Sequence, residues 1–485
     1  MIKKKNVLLI TIDSLRANHL SCLGYPLLTS PNLDNLAKNG ILFKNAIACG
    51  PDTPTSITPL LTSSYILMHL AKNDGFDKTK FVKDEKFEKL SSRNKEFEMI
   101  GAMTSQIHKN KITISEVLKS YNYNTSGFHS NPFLSKYFNF DKKFDYLYDS
   151  FSNMQRYTIK SKIEGILDKN KSLKNFAKYI YNKVHTNNIP YDRAEIINKK
   201  AISWLKDHKT NFFLWIHYMD VHFPYKPPKK FQLYFRSKPM NNLEMSILND
   251  KLIKDDKLTK SSEMSEDDIK NIKDLYNGEI RYVDNEIRSL IDKLREMDIL
   301  DDTLIVITAD HGEQFWEHGE FGHGANLFDE LIRVPLIIYN SAYKNIEINE
   351  PVSLLDVSPT ILDLLDISDN NTFQGTSLIP IIKGEKKSSG VISETYGKGK
   401  QKISYRTQKW KYILDEGDGK TELYDLENDP NEKENIVEKE MGRAKEFELK
   451  ITEHILKQKN SIKGMTDKKE RTRKTIKDLR KLGKI

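Results

Sequence analysis

Cysteine is almost absent: Cys22 and Cys49 are the only two in 485 residues. Two thiols exclude a disulfide framework and a cysteine-based zinc site, and they agree with a reducing compartment. No apolar run approaches the roughly 18 residues that a membrane helix needs, so no transmembrane segment is expected. Met1-Ile2-Lys3-Lys4-Lys5 followed by an apolar run imitates a secretory leader. Asp13 cuts that run short and no small-residue cleavage site follows, so the start is read as a first strand and the protein as cytoplasmic. A basic bias is missing from the body as well. The net charge is +9, but residues 463–485 hold ten Lys or Arg and three acids, net +7, which leaves only +2 for the remainder. Nucleic acid is therefore not an expected partner. The tail is read as a solvated helix, with Ile476, Leu479 and Leu482 on one face suited to touching an anionic lipid or polymer surface. No internal repeat is visible.

What is present is a globular composition, 38% hydrophobic and 30% charged. The length exceeds one ordinary core and predicts a large α/β domain with a smaller appendage. Strand and helix signals alternate through the first part of the chain. Residues 1–12, 41–46, 125–128, 212–218, 302–308 and 334–339 read as strands. Helices are expected around Pro31, over 113–120, 201–207, 276–297 and 358–365. Segments 64–112, 151–190 and 236–266 read as insertions, the second helical and the third a charged, mobile excursion. After about residue 385 the texture changes to short antiparallel strands at 404–407, 410–415 and 422–425. The boundaries are a catalytic domain over 1–385, an antiparallel subdomain over 386–462 and a basic helical tail over 463–485.

Two of the strand signals end in metal-binding chemistry. The run Asp302-Thr303-Leu304-Ile305-Val306-Ile307-Thr308 leads into Ala309-Asp310-His311-Gly312-Glu313, and Asn6–Ile12 ends at Asp13. Sites in parallel α/β sheets form at the carboxyl ends of strands, so Asp13, Asp310 and His311 are expected to share one divalent ion. Thr53 precedes Pro54, which fits an N-cap followed by the first helical residue. That places a hydroxyl at the positive end of a helix, where an anionic ester would also settle.

The motifs together resemble the sulfatase branch of the alkaline phosphatase superfamily. Ile12-Asp13-Ser14-Leu15-Arg16, Gly24-Tyr25 and Pro31-Asn32-Leu33-Asp34 resemble its opening. Residues 53–62, Thr-Pro-Thr-Ser-Ile-Thr-Pro-Leu-Leu-Thr, look like its nucleophile segment. His217-Tyr218-Met219-Asp220-Val221-His222-Phe223-Pro224-Tyr225 looks like its second active-site loop. Asp310-His311-Gly312-Glu313, His318-Gly319, Gly322-His323-Gly324 and Arg333-Val334-Pro335 follow its metal and substrate loops in order. Trp410-Lys411 and the run from Leu423 to Pro430 resemble its C-terminal subdomain. The resemblance implies an α/β alkaline-phosphatase-like fold: a large mixed, mostly parallel sheet between helices, then a small C-terminal α+β subdomain with an antiparallel sheet. It implies a metal site of Asp13, Asp310, His311 and Thr53, with Thr53 as nucleophile. It assigns ester contacts or leaving-group protonation to His222 and His323, places His318 at the substrate, and leaves His217 structural.

The sequence departs from that family at informative places. Sulfatases convert a Cys or Ser to formylglycine, and threonine cannot follow that route, so no formylglycine is expected. Cys49-Gly50-Pro51-Asp52-Thr53 imitates the motif four residues early, with Thr where Arg belongs. The Lys-x-His loop would fall near Ser130 and Pro132, so both groups are missing, and His323 stands where sulfatases usually carry Lys. His311 in place of an oxygen ligand favours Mn or Zn over Ca or Mg. A Thr nucleophile with this ligand set resembles the phosphoglycerol transferase and lipoteichoic acid synthase members. The expected function is metal-dependent hydrolysis or transfer at a sulfate or phosphate ester, glycan- or lipid-linked, with a phosphodiester favoured. The competing readings are an inactive relative that binds an anionic glycan or polymer, and a two-metal phosphomutase or nucleotide pyrophosphatase.

Overall fold

The computed structural model describes residues 6–66, 68, 107, 111–150, 189–254, 257–258, 264–340, 343–368, 373–397 and 400–481. Most of the segments read as insertions at 64–112 and 151–190 lies outside these residues. In chain order the strands are β1 (Asn6–Ile12), β2 (Ile41–Ile47), β3 (Asn124–His129), β4 (Tyr146–Asp149), β5 (Phe212–Tyr218), β6 (Ile253–Lys254), β7 (Lys257–Leu258) and β8 (Thr303–Ala309). They continue with β9 (Gln314–Phe315), β10 (Phe321–Gly322), β11 (Arg333–Tyr339), β12 (Ile346–Ser353), β13 (Val391–Gly397), β14 (Lys400–Arg406), β15 (Trp410–Asp415) and β16 (Thr421–Asp425).

Eight strands form one sheet in the order β12-β2-β11-β8-β1-β5-β3-β4. Only β11 runs antiparallel to its neighbours, β2 and β8. Every residue of β1, β5 and β8 is buried, as strands covered on both faces require. This is why they read as continuous apolar runs rather than alternating ones. One group of helices, Pro31–Lys38, Ala194–Leu205 and Glu266–Glu296, packs together on the sheet, and Thr53–Thr62 packs with Val357–Leu364 and Ile114–Ser120. Pairing in β1 sets the site. Thr11 lies beside His217 of β5, and Ile12 beside Ala309 of β8. The next residues, Asp13 and Asp310, therefore emerge side by side.

Several boundaries differ from the sequence expectation for local reasons. The long helix begins at Glu266, ten residues earlier than expected, because Ser265 caps it and three acids fill its first turn. The excursion at 236–266 contains an ordered helix, Asn242–Asp250, closed by an Asn241–Glu244 capping box and packed through Met245 and Leu248. Strands β4, β12 and β13 carried no strong periodic signal.

The second sheet, β13-β14-β15-β16, is antiparallel, and the start of the Met441–Lys481 helix packs on it through Ala444, Phe447 and Ile451. A buried ion cluster ties it to the larger sheet. Lys411, fully buried, lies 3.0 Å from Asp329 Oδ1 and 2.8 Å from Glu432 Oε1, and Arg406 lies 2.9 Å from Asp329 Oδ2. Burial opposes the Asp329 charge, but Arg406 and Lys411 outweigh it and hold that carboxyl far below its usual range. Removing one member strands the others without water. Lys411→Ala is expected to lower unfolding stability by about 3–5 kcal/mol in urea titration. A loss under about 1 kcal/mol would contradict a joint held by this cluster.

Candidate metal and ester site

The site is built where β1, β2, β3, β5 and β8 end at one edge of the sheet. Asp13 follows β1, and its backbone N–H donates to the Tyr218 carbonyl at 2.8 Å. Ser14 then turns through φ 59, and its N–H donates to Asp310 Oδ1 at 3.2 Å. Tyr276 holds this turn: its hydroxyl donates to the Ser14 carbonyl at 2.7 Å and accepts from the Arg16 N–H at 2.9 Å. Asp310 Oδ1 also accepts from the His311 N–H at 2.8 Å. After His311 the chain presses against the segment at Glu330, where a Cβ on Gly312 would lie 2.0 Å from the Glu330 carbonyl oxygen. Only glycine fits there, so the spacing of the Asp-His-Gly run is a steric requirement.

Thr53 arrives from the other side. The structure corrects its position in the helix. Asp52 is the N-cap, extended at φ −148, with its carboxylate accepting from the Thr55 N–H, and Thr53 is the first helical residue. The Asp52 side chain satisfies the end of the helix and leaves the Thr53 hydroxyl uncommitted to it. That hydroxyl donates to Asp13 Oδ2 at 3.3 Å. Asn131, in the loop after β3, donates through Nδ2 to Asp13 Oδ2 at 3.0 Å and to Thr53 Oγ1 at 3.3 Å. The segment expected to have lost its polar groups thus supplies one between Ser130 and Pro132. Its sequence signal was a lone Asn past a strand end, which turn chemistry explains equally well.

Asp13, Thr53, Asp310 and His311 converge as a buried cluster. His217 joins them, against the structural role read from the sequence: its Nε2 lies 3.3 Å from Asp13 Oδ2. Donor atoms of Asp13, His217 and Asp310 all lie within 4.8 Å of one another. Strand parity carried the missed signal, because Thr11 pairs with His217 and Asp13 shares the face of Thr11.

The donor set fits a divalent cation. His311 Nδ1 donates to the Gly312 carbonyl at 2.8 Å, which fixes Nε2 as the lone-pair nitrogen. Nε2 faces Asp13 Oδ1 and Asp310 Oδ2, each at 3.6 Å. Burial, then the charge of His323, push the His311 imidazole down to about 3, so it is neutral. His311 Nε2 and Asp310 Oδ2 have no hydrogen-bond partner. Burial opposes the charge on Asp13, but His222 and the hydrogen bond to His217 outweigh it and hold that carboxyl well below its usual range. Burial and then the Asp13 charge drive Asp310 well above its own. A lone pair and two carboxylates aimed at one point, with orphaned atoms, are what a cation between them would satisfy.

Two further imidazoles line the approach. The His323 ring lies 4.3 Å from that of His311 and 5.2 Å from that of His222, centroid to centroid. Burial disfavours the His323 cation, but buried Glu313, 2.8 Å from Nδ1, outweighs it and raises the group to about 9. Tyr225 donates to the other Glu313 oxygen at 2.9 Å. His323 therefore favours the imidazolium form at neutral pH and turns positive charge toward the site. His222 donates Nδ1–H to the Phe223 carbonyl at 2.5 Å.

Two residues singled out by sequence lie apart. His318 stacks on Phe328 at 3.6 Å, with Nδ1 2.6 Å from Glu330 and Nε2 3.0 Å from the Glu432 carbonyl. Both ring nitrogens are engaged at the subdomain joint, so His318 has none to offer a substrate. Cys49 is buried beside Ser353, 3.7 Å from its hydroxyl, and burial pushes its thiol up to about 12.

Comparisons with known proteins agree with this architecture. The family model "Sulfatase" matches residues 5–367, and "N-sulphoglucosamine sulphohydrolase, C-terminal" matches 316–461. An arylsulfatase of Clostridium perfringens is 25% identical over 466 residues, covering 90% of this chain and 91% of that protein. A choline-sulfatase of Rhizobium meliloti is 33% identical over 185 residues, 37% of this chain and 36% of that protein. The phosphonate monoester hydrolase of Agrobacterium radiobacter superposes with a TM-score of 0.69 at 20% identity, covering 95% of this chain and 96% of that one. A structure in complex with its substrate D-glucosamine-2-N,6-O-disulfate superposes at 0.68 and 18% identity, covering 95% and 99%. With the first model spanning three quarters of its length, the chain belongs to the sulfatase family.

Proposed function

We propose that this chain is a metal-dependent hydrolase or transferase of sulfate and phosphate esters, with Thr53 as the attacking group and a phosphodiester as the preferred substrate. Sulfate-ester hydrolysis is the activity named for its arylsulfatase and choline-sulfatase relatives. A phosphorus ester is named for the phosphonate monoester hydrolase that shares the fold. The observation that carries the choice is the Thr53 hydroxyl, 3.3 Å from Asp13 Oδ2 among Asp310, His311 and His217. Bound there, a divalent ion would acidify the hydroxyl and polarise the ester, and the nitrogen donors suit Mn or Zn.

The residues divide the work as follows. Asp13 Oδ2 accepts the Thr53 hydroxyl proton's hydrogen bond and lies on that proton's path. Thr53 Oγ1 attacks phosphorus, an O–P bond forms, and the bond to the leaving alcohol breaks. His323 offers positive charge to the ester oxygens, and the His222–His323 pair offers a proton to the departing oxygen. Water or a second alcohol then attacks the same phosphorus, giving its proton to the His222–His323 pair, and the Thr53 O–P bond breaks as Thr53 takes its proton back. A threonine–sulfate ester lacks the aldehyde-hydrate route for release, so phosphorus suits this nucleophile better. A phosphodiester carries one negative charge, which a single imidazolium can offset, whereas a monoester dianion exceeds it.

Three outcomes follow. Asp310→Ala is expected to fall well below one bound metal per chain by elemental analysis, with His217→Ala reduced to a lesser degree. Full occupancy in Asp310→Ala contradicts the site. Thr53→Ala is expected to keep fold and metal but lose at least about 10³-fold in turnover, with Thr53→Ser retaining part of it. Wild-type protein should rank aryl phosphodiester over aryl phosphate over aryl sulfate in kcat/KM. Aryl sulfate ranking first, or an aldehyde mass loss at Cys49, contradicts the phosphoryl reading.

A further inference from the structure

The loops that carry the site also carry an exposed apolar and basic surface. Leu27 and Leu28, in the segment after β1, are 43% and 59% exposed, and Leu233 and Tyr234, in the segment after β5, are 54% and 59% exposed. Because β1 and β5 are adjacent and parallel, both segments leave the sheet at the edge that presents Asp13 and His217. Arg281 joins them: its guanidinium carbon lies 4.5 Å from the Tyr234 ring centroid, and its Nη1 donates to the Leu28 carbonyl at 3.4 Å. The outward pose is fixed from beneath. Phe231 and Gln232 are buried, and Gln232 donates to the Pro227 carbonyl at 2.9 Å and accepts from the Met240 N–H at 2.8 Å.

The charge carried by the segment after β5 has one sign. Residues 226–238 contain Lys226, Lys229, Lys230, Arg236 and Lys238 and no acid. Arg236 is matched by Asp274 at 3.6 Å, while Lys229, Lys230 and Lys238 are exposed. Leucines, a tyrosine and lysines side by side suit the boundary of a bilayer, where apolar chains enter the acyl region, the phenol sits at headgroup depth and ammonium groups meet phosphates. Four half-exposed side chains fall short of the roughly 800 Å² per partner of a stable protein interface.

We propose that this surface docks the protein on an anionic lipid membrane with the mouth of the site turned toward the headgroups. The docking stands on its own geometry. The substrate it implies, a lipid headgroup joined by a phosphodiester, rests on the function proposed above.

Sedimentation with vesicles of phosphatidylcholine, with and without phosphatidylglycerol, tests the docking. Wild-type protein is expected to pellet with the anionic vesicles and to be released by ~0.5 M salt. The double variant Leu233→Ser/Tyr234→Ser is expected to lose roughly tenfold or more in vesicle affinity, as is Lys229→Glu/Lys230→Glu. Both variants should keep wild-type turnover of a soluble aryl phosphodiester, which also shows that they fold. Undiminished vesicle binding in both variants, or binding lost only when residues 463–485 are removed, overturns the proposal. So does a wild-type dimer that the Leu/Tyr variant dissolves, with no vesicle binding. Vesicle binding without phosphodiester turnover would sink the proposed substrate and leave the docking intact.

Discussion

Two carboxylates at the ends of adjacent strands, both cut off from water, are the constraint around which the rest of the site is arranged. Asp13 and Asp310 repel each other, and burial penalises both charges. Neutral His311 turns a lone pair, not a proton, toward them. Such an arrangement is costly on its own, and a cation there would offer a partner to the unpartnered His311 Nε2 and Asp310 Oδ2. The fold maintains the arrangement by fixed backbone features: the pairing of β1 with β5 and β8, the Ser14 turn held by Tyr276, and the close approach at Gly312 that admits no side chain.

The same principle accounts for the outer part of the site. An ordinary histidine is mostly neutral at pH 7. Glu313, held by Tyr225, favours the protonated form of His323. The charge that His323 turns toward the site thus depends on a carboxylate ten residues earlier in the chain.

The central strands were legible because a doubly covered sheet writes itself as apolar runs, and Asp13 and Asp310 were legible because they terminate such runs. Resemblance to the sulfatases then ordered the remaining motifs. What was missed depended on neighbours in space. His217 needed the β1–β5 register, and Asn131 needed the approach of the Thr53 loop. Thr53 was read as its helix's cap because Asp52 and Thr53 are both good caps, and only the backbone distinguishes them. His318 follows family order in sequence, yet Glu330 and the Glu432 carbonyl take both its nitrogens at the subdomain joint. The Asn242–Asp250 helix was hidden in a charged segment because its stability comes from a capping box and two buried apolar side chains rather than from a long periodic face.

The central claim is that Thr53 carries the transferred group. Acid quenching of the metal-loaded protein during turnover of a slow aryl phosphodiester, followed by peptide mass spectrometry, tests it directly. The account predicts, on the peptide containing Thr53, a phosphoryl adduct that retains the substrate's second ester group, absent from Thr53→Ala. Steady turnover with no adduct at Thr53, retained in Thr53→Ala, would contradict it.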